Sequence, residues 1–192
     1  MAKSDGASLA HTRRREFLAG VGGGLIALTV TSAYGKISPK EARSRGRLLR
    51  KLSSAEGKAL DALGDALLPG AAEAGITHYV DDQLANDAPL LILKYMDYPG
   101  SSLGFYKQGL ASLERISRAR RSRSFHELKP AEQADLIREF SQKSPDGWSG
   151  PPGPLFYFVT RNDAVDVYYG TQEGFGRLNI PYMAHIPPEK NW

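Results

Sequence analysis

The residues with the most chemical reach in this chain are His78-Tyr79-Val80-Asp81-Asp82. On a helix Asp82 lies four residues beyond His78 and shares its face. A carboxylate so placed orients an imidazole as a general base. No serine or threonine in a nucleophile-elbow context accompanies it, so the two read as a helix-surface pair. The other histidines, His11, His126 and His185, are far apart, and no two of the four have helical metal-ligand spacing. No metal site is expected. Cysteine is absent, which excludes a disulfide, a thiolate nucleophile, a cysteine-bound iron–sulfur cluster and a Cys-x-x-Cys-His haem attachment. The glycines at 20–24 follow no strand and form no dinucleotide loop. Gly174-Phe175-Gly176 reads as a turn. No catalytic residue and no cofactor-binding residue is expected in this chain.

The most specific motif is an address. Thr12-Arg13-Arg14-Arg15-Glu16-Phe17-Leu18 runs into a glycine-rich apolar segment, and Phe17 to Ala33 carries no charge. Arg14, Arg15, Phe17 and Leu18 resemble the twin-arginine pattern of two arginines, any residue, then two apolar residues. Such signals are read by a receptor. Gly20, Gly22, Gly23 and Gly24 keep the run only mildly hydrophobic, and Thr31-Ser32-Ala33 supplies small residues for cleavage at Ala33. The run is shorter than the roughly 20 apolar residues of a membrane span. The expectation is export by the twin-arginine translocase to the periplasm.

Residues 1–33 hold four of the 25 basic and two of the 21 acidic side chains. The remainder is close to neutral, so the pI of 9.3 overstates any affinity for polyanions, and no nucleic-acid partner is expected. The length suits one domain with a modest core. Without cross-links, an exported chain must be held by that core or by a partner.

The elements that would position any site are helical. Residues 34–52 read as a basic linker or leading helix, with Lys36, Lys40, Arg43, Arg45, Arg47, Arg50 and Lys51 against Glu41. A domain over 53–192 follows. Ser53 and Glu56 form a capping box, Leu60, Leu63 and Leu67 make an apolar stripe, and Pro69-Gly70 stops the helix. A second helix begins near Thr77, buries Ile76, Tyr79, Val80 and Leu84, and ends near Asn86-Asp87. Pro89 suits the first turn of a third, broken at Pro99-Gly100. Leu103, Tyr106, Leu110 and Leu113 mark a fourth, running to about Arg118. Arg118, Arg120, Arg121 and Arg123 cluster at its end, where cations complement the helix dipole. Pro130 opens a fifth to about Gln142, burying Leu136, Ile137 and Phe140. Proline and glycine forbid regular structure over 144–154. A last helix covers about Leu155–Tyr169, and 171–192 reads as an irregular, extended tail. The fold class is all-α, a small bundle of short helices behind an N-terminal signal helix.

Large rings crowd the C-terminal third: Phe156, Tyr157, Phe158, Tyr168, Tyr169, Phe175, Tyr182 and Trp192. Phe156 to Tyr169 read mainly as core. An extended tail cannot bury both its sides, so Tyr182 and Trp192, with Tyr168 and Tyr169, are the candidate partner-binding residues. Tyr and Trp are common interface anchors.

Several stretches together resemble the gluconate 2-dehydrogenase subunit 3 family. They are the twin-arginine start; Leu67-Leu68-Pro69-Gly70 with Ala74-Gly75-Ile76 and Tyr79-Val80-Asp81; Tyr106-x-x-Gly109-Leu110; Phe125-x-x-Leu128 ahead of Glu132-Gln133; Arg161; Tyr168-Tyr169-Gly170; and Asn179-Ile180-Pro181-Tyr182-Met183. Ala164 and Gly174-Phe175-Gly176-Arg177 depart from the family, which often has a threonine and a Gly-Gly-Asn turn there. The resemblance implies a non-catalytic small subunit of a flavin-dependent sugar or alcohol dehydrogenase. It would bind a large flavoprotein of the glucose–methanol–choline type, which carries the FAD, and would help it mature and lend it the export signal. A cytochrome c subunit with haem often completes such a complex, which is membrane-associated. A stand-alone exported helical enzyme and a basic surface-binding module using residues 36–51 remain as alternatives.

Overall fold

The computed structural model describes residues 30–32, 35–86, 89 and 91–179. The proposed signal residues Arg14, Arg15, Phe17 and Leu18, the cleavage residue Ala33, and Tyr182 and Trp192 lie outside them. The fold is all-α apart from one short antiparallel pair, β1 (Val30–Ser32) and β2 (Gly35–Ile37), with Val30 opposite Ile37. There follow α1 (Pro39–Ser44), α2 (Ser54–Leu67), α3 (Ala71–Ala74), α4 (Ile76–Leu84), α5 (Ser102–Arg121), α6 (Pro130–Gln142), α7 (Gly153–Tyr169) and α8 (Gln172–Arg177).

α7 is the central element, packed against α2, α3, α4, α5, α6 and α8. Phe156, Val159, Asp163 and Val167 lie on its inner stripe and are buried. Phe156 meets Phe105 of α5 and Phe140 of α6 at ring-centroid distances of 5.7 and 6.2 Å. Gly109 allows this approach, because a Cβ there would stand 2.3 Å from Phe156 Cε2. The capping box at the start of α2 is present: Ser53 N–H donates to Glu56 at 2.7 Å, and Glu56 N–H to Ser53 Oγ at 3.2 Å.

Three stretches differ from expectation. The helix expected after Pro89 is only a 3₁₀ turn at Ile92–Tyr95. Leu91 is buried while Tyr95 is exposed, whereas an α-helix would place these two, four residues apart, on one face. Ala71–Ala74 forms its own turn of helix between Gly70 and Gly75, both left-handed at φ 95° and 93°. The segment after Gly170 is not irregular throughout: Thr171 Oγ1 accepts from the Gly174 N–H at 3.0 Å and caps α8.

The basic stretch is docked rather than loose. Ala42 and Leu52 are buried, and Asp81 on α4 accepts the N–H groups of Arg50, Lys51 and Leu52 at 2.7, 2.8 and 2.8 Å. The arginine cluster ending α5 joins it to α6. Arg120 pairs with Glu139. Arg121 and Arg123 pair with Glu132 at 3.8 and 2.9 Å.

Candidate functional site

α4 carries the residues that looked most reactive, and their geometry is structural. Asp82 is 2% exposed, so it is no surface partner for His78. Its carboxylate faces Arg50 Nη1 at 3.6 Å. The reason is enclosure: α1, α2 and α7 all pack against α4, and Thr77, Asp81 and Gln83 are buried as well. His78 Nε2 bonds the Arg47 carbonyl at 3.1 Å, which fixes Nε2 as the protonated nitrogen. The histidine therefore braces the loop before α2. Most of the basic charge is likewise spent internally. Lys40 reaches Glu173 of α8 at 3.0 Å and Glu73 at 3.4 Å. Arg43 pairs with Asp61, and Arg45 with Glu41 at 2.5 Å.

The inner face of α7 holds a buried acid. The Tyr106 hydroxyl donates to Asp163 Oδ2 at 2.6 Å, and Asp163 Oδ1 has no hydrogen-bond partner. Burial pushes the Asp163 carboxyl up to about 8, against the opposing pull of the Tyr106 hydrogen bond and with further push from the Asp166 charge. Burial raises Asp166 too, and holds the phenols of Tyr106 and Tyr79 above their ordinary value. Asp163 is thus a neutral acid near pH 7, sealed in the core and out of reach of a substrate. Its place on the Phe156, Val159, Val167 stripe was readable from spacing alone. Among the described residues no group of three or more His, Cys, Asp or Glu side chains can hold a metal ion. No helix among them is long and apolar enough to cross a membrane.

The outer face of α7 is different. Phe158 and Val165 lie seven residues apart, two turns along one stripe that also carries exposed Arg161 between them, and are 43% and 37% exposed. Tyr169, half-buried, continues the stripe. The 3₁₀ turn and α8 both pack on α7, and Tyr95, Met96 and Leu178 at their ends are exposed. The sequence reading placed the rings of Phe156–Tyr169 mainly in the core; Phe158 stands outside it, beside exposed Val165, which that reading did not single out. Tyr168 is engaged within the chain. Its ring sits against Gly70, contacts Tyr169 edge-on at 4.8 Å, and lies under the Arg177 guanidinium at 4.3 Å. Of the two tyrosines, Tyr169 borders the open stripe and Tyr168 anchors α8.

The profile of a family described as Gluconate 2-dehydrogenase subunit 3 matches residues 54–187, well over half of the chain. Neither the curated proteins nor the solved structures give a match.

Proposed function

The chain belongs to the gluconate 2-dehydrogenase subunit 3 family, and from that membership we propose that it is the non-catalytic small subunit of a flavin-dependent dehydrogenase complex. It binds a large subunit of the glucose–methanol–choline type, supports its maturation, and carries it to the periplasm by the twin-arginine route. FAD belongs to that large subunit, and haem to a cytochrome subunit where one is present. The observation that carries the reading is the family match over 54–187. Exposed Phe158 and Val165 on the outer face of α7, with Arg161 between them and half-buried Tyr169 one turn on, support a docking role, since aromatic and arginine side chains are enriched at interfaces. The pair that motivated a stand-alone enzyme, His78 and Asp82, is spent on Arg47 and Arg50.

The test is co-expression of a candidate flavoprotein large subunit with and without this chain. The expected result is that export and dehydrogenase activity of the large subunit require the chain, and fall when Arg14 and Arg15 become Lys. Equal activity and equal export in its absence would overturn the proposal.

A further inference from the structure

The loop between α1 and α2 is built unlike the rest of the surface. Residues 45–52 contain Arg45, Arg47, Arg50 and Lys51 and no acid. Gly46 turns the chain at φ 62°, and a Cβ there would meet nothing within 4 Å, so the turn stands clear of the body. Next comes Leu48, 91% exposed, the most exposed large apolar side chain among the described residues. Arg45 and Arg50 remain half-exposed despite their ion pairs. Lys51 and, across the cleft, Lys58 are exposed and make no ion pair among the described residues. Under the loop lies a cleft of about 590 Å³, lined by Leu49 and Leu52 with Arg43, Arg47, Lys58 and the carboxylate of Asp61, which pairs with Arg43.

The loop also sits near the uncharged N-terminal segment. β1, which begins inside the uncharged stretch 17–33, packs on α4. The same helix clamps the loop through Asp81 and His78. Nine residues make α4 about 13 Å long. β1 and the loop are therefore held by one short helix.

We propose that this loop is a lipid-contacting element: Leu48 enters the interfacial layer of an anionic phospholipid membrane, and the exposed cations around it bind phosphate headgroups. An apolar tip ringed by Lys and Arg is the chemistry of an interfacial anchor. A protein-docking loop is disfavoured because leucine is under-represented among interface hot spots, and this loop carries no aromatic anchor. The inference stands apart from the subunit role, because it concerns this chain alone on a membrane.

The absence of cysteine makes the test clean. The full chain with Leu48→Cys carries an environment-sensitive fluorophore and is mixed with phosphatidylcholine vesicles with or without phosphatidylglycerol. The same label at Ala134, exposed on α6, is the control. The expected result is a blue shift at position 48 on anionic vesicles only, reversed by high salt, with no shift at 134. Lys51→Gln and Lys58→Gln each weaken vesicle binding about fivefold. Three results overturn the proposal. One is co-sedimentation of the chain with vesicles while the label at 48 stays in water, which assigns binding to residues 17–33 alone. Another is an equal shift on neutral vesicles. The third is a shift that arises only when the large subunit is added, which makes the loop a protein interface.

Discussion

Tyr106 on α5 and Asp163 on α7 are joined by one hydrogen bond of 2.6 Å, and both side chains are sealed from water. Tyr79 and Asp166 are the titratable neighbours that act on the pair. A carboxyl held near 8 in the folded chain but ordinarily at 3.8 binds more protons folded than unfolded between those two values. Its contribution to stability is fully present below about pH 4 and declines as pH rises. It is lost once pH passes about 8. Urea denaturation between pH 5 and 8 is expected to show a fall on the order of a few kcal/mol. Asp163→Asn removes the titrating group and flattens that slope. Tyr106→Phe removes the bond that favours the carboxylate and moves the midpoint of the decline to higher pH. An unchanged slope in Asp163→Asn would assign the titration elsewhere.

Asp81 binds three consecutive backbone N–H groups with two oxygens. Oδ1 takes Lys51 and Leu52, and Oδ2 takes Arg50. In Asp81→Asn the amide oxygen can replace Oδ1, but the NH₂ then points a donor at the Arg50 N–H. Each bond to a charged group contributes about 1.5–3 kcal/mol, so the variant should lose roughly 2–4 kcal/mol. Hydrogen exchange at Arg50–Leu52 should accelerate more than exchange in α5 or α6. Uniform acceleration would mean that Asp81 supports the whole fold rather than holding the loop.

What the sequence made legible follows from what local physics determines. The Ser53–Glu56 box, the stop at Pro69-Gly70 and the Pro130 start depend on a few adjacent residues, and each formed as read. Asp82 did not, because its burial comes from three helices closing around α4, none of them adjacent to it in sequence. The same holds for the arginines after Arg118, whose partners Glu132 and Glu139 lie on the next helix. Phe158 fell between the two cases: its apolarity was plain, but only the packing of α7 shows which of its faces stays open.

Gly109 tests the closeness of α5 and α7. Gly109→Ala places a methyl 2.3 Å from Phe156 Cε2 and 2.4 Å from Cδ2, and the ring is boxed in by Phe105, Phe140 and Trp148. The ring cannot swing aside without displacing others. Overpacking of this kind costs about 1–3 kcal/mol, which outweighs the roughly 1 kcal/mol that alanine gains over glycine in a helix. Thermal unfolding should show a net loss. Phe156→Leu in the same chain should restore part of it, and failure of that rescue would place the strain outside this contact.

Phe158 and Val165 test the docking face. They are 43% and 37% exposed, so an aspartate at either position keeps its carboxylate in contact with water. Surface changes of this sort shift stability by about 0.5 kcal/mol or less. Phe158→Asp and Val165→Asp should therefore fold with unchanged helix content and melting temperature. If α7 is the proposed docking face, truncating its anchors costs far more in binding, and co-purification of the proposed large subunit should drop by about tenfold or more. Ala134→Asp on α6 supplies an equal charge at an exposed site and should leave recovery untouched. Full recovery with Phe158→Asp would move the interface off α7, leaving Tyr182 and Trp192 as the residues to alter next.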